Sequence, residues 1–435
     1  MSHISVFSAF PAFFLDIFAK KEDTIKDIFI LERSDEKMLT LDKVYHASHT
    51  LKEVIRPTAV IQAPNITDKC DLYLKTENLQ VTGSFKVRGA YYKISQLTKE
   101  EKEKGVIACS AGNHAQGVAL AAQRNKIKAL ICIPDGAPIS KVEATKSYGA
   151  QVCLVKGVYD DAYAKALELK EESGATFIHP FDDEMVIAGQ GTIGLEILDQ
   201  LPDVDAVVVP VGGGGLLSGV AFAIKALSPK TKVYGVQAAG APSMVEALKH
   251  KKIETLEKAK TIADGIAVKT PGEHTFEYCS KYVDDIVTVT DDEVSTAILT
   301  LLERQKLIAE GAGAVPLAAV LFDKIPVKGK KVVCLVSGGN IDVTILSRVI
   351  DRGLQKEGRQ ADLTIELKDQ PGQLLGVSRI ISDMGANVVA VNHDHTDLNM
   401  DITSCLLRIN METRDHAHVK AIKEELVKNG YKIVE

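Results

Sequence analysis

Lys86 stands in Gly83-Ser84-Phe85-Lys86-Val87-Arg88-Gly89-Ala90, a small-residue turn bracketed by glycines. A lysine amine acts as a nucleophile or base only when activated, so an ordinary lysine is a solvated charge. The company of Lys86 sets it apart. Gly212-Gly213-Gly214-Gly215 follows the apolar run 206–210 and precedes a helical pattern starting near Leu216. Glycines at such a junction let the backbone approach an anion closely, and the helix N-terminus favours the negative charge. The run lacks the G-K-S/T of a nucleotide P-loop. Two more polar loops occur, Ser110-Ala111-Gly112-Asn113-His114 and Ser337-Gly338-Gly339-Asn340. Each motif alone has a plainer account: a surface charge, a tight turn, a helix cap. Together they point to covalent amine chemistry on an anionic ligand.

In this order, the four motifs resemble those of pyridoxal-phosphate enzymes of the tryptophan-synthase-β class. The match is to the threonine dehydratase (threonine ammonia-lyase) family, with serine racemases as kin. The resemblance implies that Lys86 carries the cofactor and then removes the substrate α-proton. Low local dielectric and nearby positive charge are expected to activate it. It further implies that Phe85, Gly212, Gly213, Gly214, Gly215 and Leu216 pack around the cofactor and its phosphate. Ser337 is expected at the ring nitrogen and Asn113 beside the ring oxygen. Ser110, Ala111, Gly112, Asn113 and His114 would hold the substrate carboxylate through backbone N–H groups at a helix start. A neutral Ser337 does not keep the ring nitrogen protonated, which favours rapid β-elimination over transamination. His114 is expected to be structural. The resemblance places Glu310 near the cofactor, although a carboxylate at a helix opening is more often a cap or ion-pair member, and it implies that His179-Pro180-Phe181-Asp182-Asp183 shapes the pocket.

The implied reaction is L-threonine to 2-oxobutyrate and ammonia, with L-serine to pyruvate as a side activity. One methyl group discriminates by only about 1–3 kcal/mol. Serine racemase or serine dehydratase is the alternative within the family. Racemisation needs an acid or base on each face of the α-carbon, and Ala111 stands where the racemase loop has a serine. The racemase metal position holds Gln237, and 238–243 supplies no carboxylate. No divalent metal ligand set is therefore expected, while a monovalent cation held by backbone carbonyls stays open. A degenerate, non-catalytic amino-acid sensor is the competing class. Cysteine-synthase and threonine-synthase relatives match these loops less well.

These loops must be held by rigid elements. From about residue 105, short β-rich runs alternate with amphipathic helical runs. Strands are expected at 129–134, 151–155, 206–210 and 331–336, with helices at 141–148 and 159–172. That pattern predicts an α/β fold of parallel sheets covered by helices, in the two-subdomain form the resemblance implies. A charged, glycine-containing linker is expected near Gly353 to Gln360. Beyond it the order β-α-β-β-α-β predicts a ferredoxin-like domain. With Asp369-Gln370-Pro371-Gly372-Gln373-Leu374 it resembles an ACT domain, whose effector loop would comprise Asp369, Gln370, Pro371, Gly372 and Leu374. Asn387 and Asn392 are secondary candidates there, and isoleucine is the first candidate effector, with valine, threonine itself or no effector left open. The expected organisation is an N-terminal extension (1–37), a catalytic domain (38–355) and an ACT domain (361–435).

The 435 residues are 46% hydrophobic and 25% charged, with net charge −6, enough for two or three domains with cores. No basic stripe suggests nucleic acid, and no apolar run suggests a membrane span. The seven cysteines, none in a C-x-x-C pair, read as reduced buried thiols rather than a disulfide framework or zinc site. The thiols fit a cytoplasmic compartment, and the family resemblance implies a homodimer or homotetramer acting on small amino acids.

Overall fold

The computed structural model describes residues 39–395 and 401–434. The expectation for 1–37 lies outside the described residues. Among the described residues ten strands build the larger part: β1 (Val60–Gln62), β2 (Asp71–Lys75), β3 (Val106–Cys109), β4 (Ala129–Pro134), β5 (Gln151–Val155), β6 (Thr176–Phe177), β7 (Ala206–Pro210), β8 (Lys232–Ala238), β9 (Asp285–Val289) and β10 (Lys331–Leu335). They form a six-stranded sheet in the order β1-β2-β10-β7-β8-β9 and a four-stranded sheet in the order β5-β4-β3-β6.

The continuous apolar runs are strands buried on both faces. Val207, Val209, Val333 and Leu335 pack into one core, while Ala206, Val208, Val332 and Cys334 pack into another on the opposite side. In the smaller sheet Val106 and Ala108 face one core and Ile107 and Cys109 the other. Alternation across the pleat thus fills both helix-covered layers, as parallel sheets require. The pairing is parallel throughout except at one edge, where β1 runs antiparallel to β2. The expected strands and helices appear within two residues, the helices as Ile139–Ser147 and Tyr159–Ser173.

The expected linker needs correction. A helix runs from Val343 to Lys356, so Gly353 is helical and only residues 357–359 connect it to the next strand. A Cβ on Gly353 would sit 2.4 Å from Leu299 Cδ2. This glycine lets the helix pack closely on a neighbour and does not mark a flexible joint.

The remaining strands are β11 (Gln360–Lys368), β12 (Asn387–Asp394), β13 (Ser404–Glu412) and β14 (Lys432–Val434). They form an antiparallel sheet in the order β12-β13-β11-β14, with helices Gln373–Asp383 and His416–Lys428 packed on it. This is the ferredoxin-like arrangement. Among the described residues no helix is long and apolar enough to cross a membrane.

Candidate active site

Three of the motif loops leave the carboxyl ends of parallel strands: Ser110 after β3, Gly212 after β7 and Ser337 after β10. This is where open α/β sheets gather ligand-binding loops. Lys86 opens the helix Lys86–Ser95, and its loop is tied to the Ser337 loop. Phe85 N–H donates to Ser337 O at 3.1 Å and Gly339 N–H to Gly83 O at 2.9 Å. Gly83 has φ +70°, and a Cβ there would lie 2.4 Å from Asn340 Oδ1. The glycine is needed for both the turn and the close approach.

The cofactor and substrate candidates converge on one cavity of about 1570 Å³: Phe85, Lys86, the 110–114 loop, Gly212 to Leu216, and Ser337, whereas the effector candidates at 369–374 do not line it. Lys86 Nζ donates to Pro180 O at 2.8 Å and lies 5.3 Å from the Phe85 ring centre. Burial lowers the Lys86 amine to about 8, and the charge of Glu310 works against this shift. Desolvation alone therefore activates the amine. The positive neighbour expected from the sequence is not among the causes.

Helix Gly215–Leu227 begins at the glycine run, with Gly214 as N-cap at φ +100°. Its first-turn N–H groups are the orphan donors every helix start leaves. The run is also sterically closed to side chains: a Cβ on Gly213 would meet the Phe181 ring at 2.5 Å. Thr275 Oγ1 donates to Gly213 O at 2.6 Å and fixes the turn from below. The second loop opens helix Asn113–Asn125, and Gly112 N–H is held by Ser110 Oγ at 3.1 Å.

Glu310 does more than the sequence suggested. It occupies an N-cap position but makes no side-chain cap bond. Its buried carboxylate accepts from Asn113 Nδ2 at 2.7 Å, while Asn113 Oδ1 accepts from Asn340 Nδ2 at 2.7 Å. Asn340 Nδ2 also donates to Thr82 O at 2.8 Å. This chain fixes the direction of the Asn113 amide. Burial, then the charge of Asp264, raises the Glu310 carboxyl to about 7. Sequence alone carried no signal for this link, because residues 113, 310 and 340 meet only in the folded cavity.

His114 is buried, and its Nε2 lies 2.8 Å from Ile178 O, so that nitrogen carries the proton. Burial, then the charge of Lys86, lowers it to about 3. An unfolded histidine takes up a proton below about 6.5. The native chain resists until about 3. The unfolded state thus binds more protons between those values, and stability falls with pH there by up to about 1.4 kcal/mol per pH unit. Denaturant titrations at pH 7 and pH 5 should show that loss in the wild type and a shallower one in His114→Asn. Equal slopes would remove His114 as the cause.

Gln237, at the position weighed as a metal ligand, is fully buried. Its Oε1 accepts from Met244 and Val245 N–H at 3.0 and 2.9 Å, capping helix Ser243–His250.

Residues 51–338 match the pyridoxal-phosphate dependent enzymes. The chain belongs to this family. It is 50% identical over 398 residues to an L-threonine ammonia-lyase of Thermotoga maritima, covering 91% of this chain and 99% of that one. Among solved structures it is similar to the processed form of threonine deaminase isoform 2 from Solanum lycopersicum. There the TM-score is 0.68 at 40% identity, covering 72% of this chain and 94% of that one. Maize serine racemase matches with TM-score 0.69 at 35% identity, covering 73% and 98%.

The residues present fit the family's cofactor. Pyridoxal phosphate offers an aldehyde, a phosphate, a ring nitrogen and a ring hydroxyl. The cavity faces these with an amine of lowered basicity, a helix start cleared of side chains, a buried serine and a fixed amide. Overpacking a well-filled site costs about 1–3 kcal/mol, and about 1.4 kcal/mol is tenfold in affinity. Gly213→Val should therefore weaken pyridoxal-phosphate binding roughly tenfold or more, measured by fluorescence titration of the cofactor-free enzyme. Unchanged affinity would mean that the phosphate sits elsewhere.

Proposed function

We propose that this protein deaminates L-threonine to 2-oxobutyrate and ammonia, with L-serine to pyruvate as a side activity. The observation that carries this reading is the convergence of the Lys86 amine, the glycine cradle and the 110–114 loop on one cavity. The Thermotoga maritima L-threonine ammonia-lyase, half identical over nearly its whole length, supports it.

In this reading Gly212 to Leu216 bind the cofactor phosphate, Ser337 meets the ring nitrogen and Asn113 the ring oxygen. Bound at Lys86, pyridoxal phosphate supplies an electron sink for charge developing at the substrate α-carbon. The 110–114 loop binds the substrate carboxylate with backbone N–H groups and turns the α-hydrogen toward Lys86. The Lys86 amine, freed when the substrate amine takes its place, accepts the α-proton at Nζ. The β-hydroxyl leaves, and hydrolysis releases ammonia and the 2-oxo acid. Water is lost and regained, so threonine yields one 2-oxobutyrate and one ammonia. Ala111 offers no proton to the opposite face, so elimination dominates over racemisation.

We further infer that residues 361–435 are an ACT-type sensor with the Asp369 to Leu374 loop as its effector site. Gly372 supports a tight turn there, with φ +93° at the start of helix Gln373–Asp383. A cytoplasmic homodimer or homotetramer completes the reading.

The test is to follow 2-oxobutyrate and D-serine after adding L-threonine or L-serine to the pyridoxal-loaded enzyme, with and without isoleucine. Rapid 2-oxobutyrate formation supports the assignment. D-Serine formed as fast as pyruvate would move it to racemisation. Bound cofactor without any product would favour the sensor. A response to isoleucine assigns the C-terminal domain.

A further inference from the structure

His393, His395 and Cys405 each offer a ligand atom within 4.8 Å of the others. The sheet explains how they meet. His393 pairs with Leu407 across β12 and β13, so the two side chains share a face. Two residues along each strand keep that face, which adds His395 on one side and Cys405 on the other. Leu407 and Cys405 belong to the helix-covered core of this domain. The cluster therefore sits at the end of that core face, with a buried thiol behind two exposed imidazoles.

The groups already interact. His393 Nε2 lies 2.9 Å from Cys405 Sγ, and the two imidazole ring centres are 4.4 Å apart. Asp369 Oδ2 lies 3.4 Å from His395 Nδ1, the carboxylate–imidazole pairing that orients metal-binding histidines. A hydrogen bond satisfies the pair His393 and Cys405 but gives no reason for a second imidazole and a carboxylate. Two imidazoles and a thiolate are a donor set for a borderline-soft transition ion and a poor one for magnesium or calcium. Zinc bonds of about 2.0 Å to nitrogen and 2.3 Å to sulfur in a tetrahedron place donors roughly 3.2–3.6 Å apart. Rotation about side-chain bonds covers the difference from the present spacing.

We propose that His393, His395 and Cys405 form a binding site for a divalent transition-metal ion of the zinc class, beside the β11-to-helix loop of the C-terminal domain. The expectation that no cysteine serves a metal is thereby revised for Cys405. The motif escaped the sequence reading because H-x-H and the cysteine lie on different strands, ten residues apart, outside the usual zinc spacings. The ion takes the place of the thiol proton, which is released on binding, so affinity rises with pH. The site is separate from the cavity around Lys86, and its occupation needs no change in the chemistry proposed there.

The experiment uses the full-length, pyridoxal-loaded enzyme, dialysed against chelator and titrated with zinc chloride against a chromophoric competitor. Wild type should hold one zinc per chain. His393→Ala/His395→Ala should weaken binding at least about a hundredfold, and Cys405→Ser at least about tenfold, as expected for lost ligands. Iodoacetamide labelling mapped by mass spectrometry gives a second readout in a variant that keeps the thiol. Zinc should slow labelling of Cys405 in the wild type and leave it unchanged in His393→Ala/His395→Ala. Circular dichroism and threonine turnover report whether the variants are folded. Equal zinc affinity in all three proteins, or labelling of Cys405 indifferent to zinc in the wild type, overturns the proposal.

Discussion

Lys86→Ala should abolish threonine turnover, lowering kcat by roughly a thousandfold or more, since both covalent attachment and proton transfer are lost. The visible absorbance of lysine-bound cofactor should vanish with it, and cofactor should become removable by dialysis. The expectation rests on the state of the amine. An ordinary lysine with pKa near 10.5 is about 0.3% unprotonated at pH 8. Burial brings Lys86 to about 8, so about half is unprotonated at that pH. A neutral amine can bond a carbonyl carbon and later take a proton; an ammonium group can do neither. Stability should barely change, because the Lys86 amine makes a single hydrogen bond, to Pro180 O. That separates chemistry from folding. Lys86→Arg should be as inactive as the alanine variant, since a guanidinium stays protonated. Added methylamine should restore a small fraction of turnover to the alanine variant, where space for an exogenous amine exists, and none to the arginine variant. Retention of more than a tenth of wild-type turnover in Lys86→Ala would remove Lys86 from the reaction, whatever its place in the cavity.

The residues of this cavity differ in how far sequence could show them. Strands β4, β5 and β7 are continuous β-rich runs of the expected bounds, and the loops after β3, β7 and β10 carry runs of small residues that few other settings need. Local composition suffices for these because the physical constraint is itself local: burial on both faces, or a backbone that must lie close to something. Phe181 over Gly213, Thr275 under it, and the Glu310–Asn113–Asn340 chain are different. Each depends on an encounter between segments some 30 to 230 residues apart, and the local pattern around Glu310, family-like as it is, does not name Asn113 as its partner. Gly353 failed in the opposite sense. A glycine amid charges resembles a joint, yet here it is the notch that receives Leu299. His393, His395 and Cys405 share the difficulty of Glu310, because a hairpin and a register, not a spacing, bring them together.

Arg88→Met should be the most destabilising single change near the site, costing about 3–5 kcal/mol in equilibrium unfolding, as breaking a buried ion pair does. Arg88 is fully buried two residues after Lys86. Its Nε and one terminal nitrogen grip Glu77 at 2.8 and 2.7 Å, and both terminal nitrogens grip Glu196 at 2.5 and 2.9 Å. Lys75 Nζ shares Glu196 at 2.5 Å and donates to Thr58 O at 2.8 Å. Two cations and two carboxylates therefore neutralise each other. They lock the helix of Lys86 to the end of β2, to the turn at Glu77–Leu79 and to helix Glu184–Gln200. Methionine matches much of the volume but leaves Glu77, also fully buried, without its cation. An uncompensated buried carboxylate is the costly product, more than the lost attraction itself. Arg88→Met/Glu77→Gln should consequently recover a large part of the loss, because it removes the stranded charge. Arg88→Lys should recover little, since one ammonium cannot reach two carboxylates with the paired geometry of a guanidinium. Urea denaturation of the three variants distinguishes these outcomes. A loss below about 1 kcal/mol in Arg88→Met would mean that the pairs behave as exposed ones do. A double variant no better than the single would place the cost in packing, and the position of Lys86 would then have to be secured by the hydrogen bonds between its loop and the Ser337 loop.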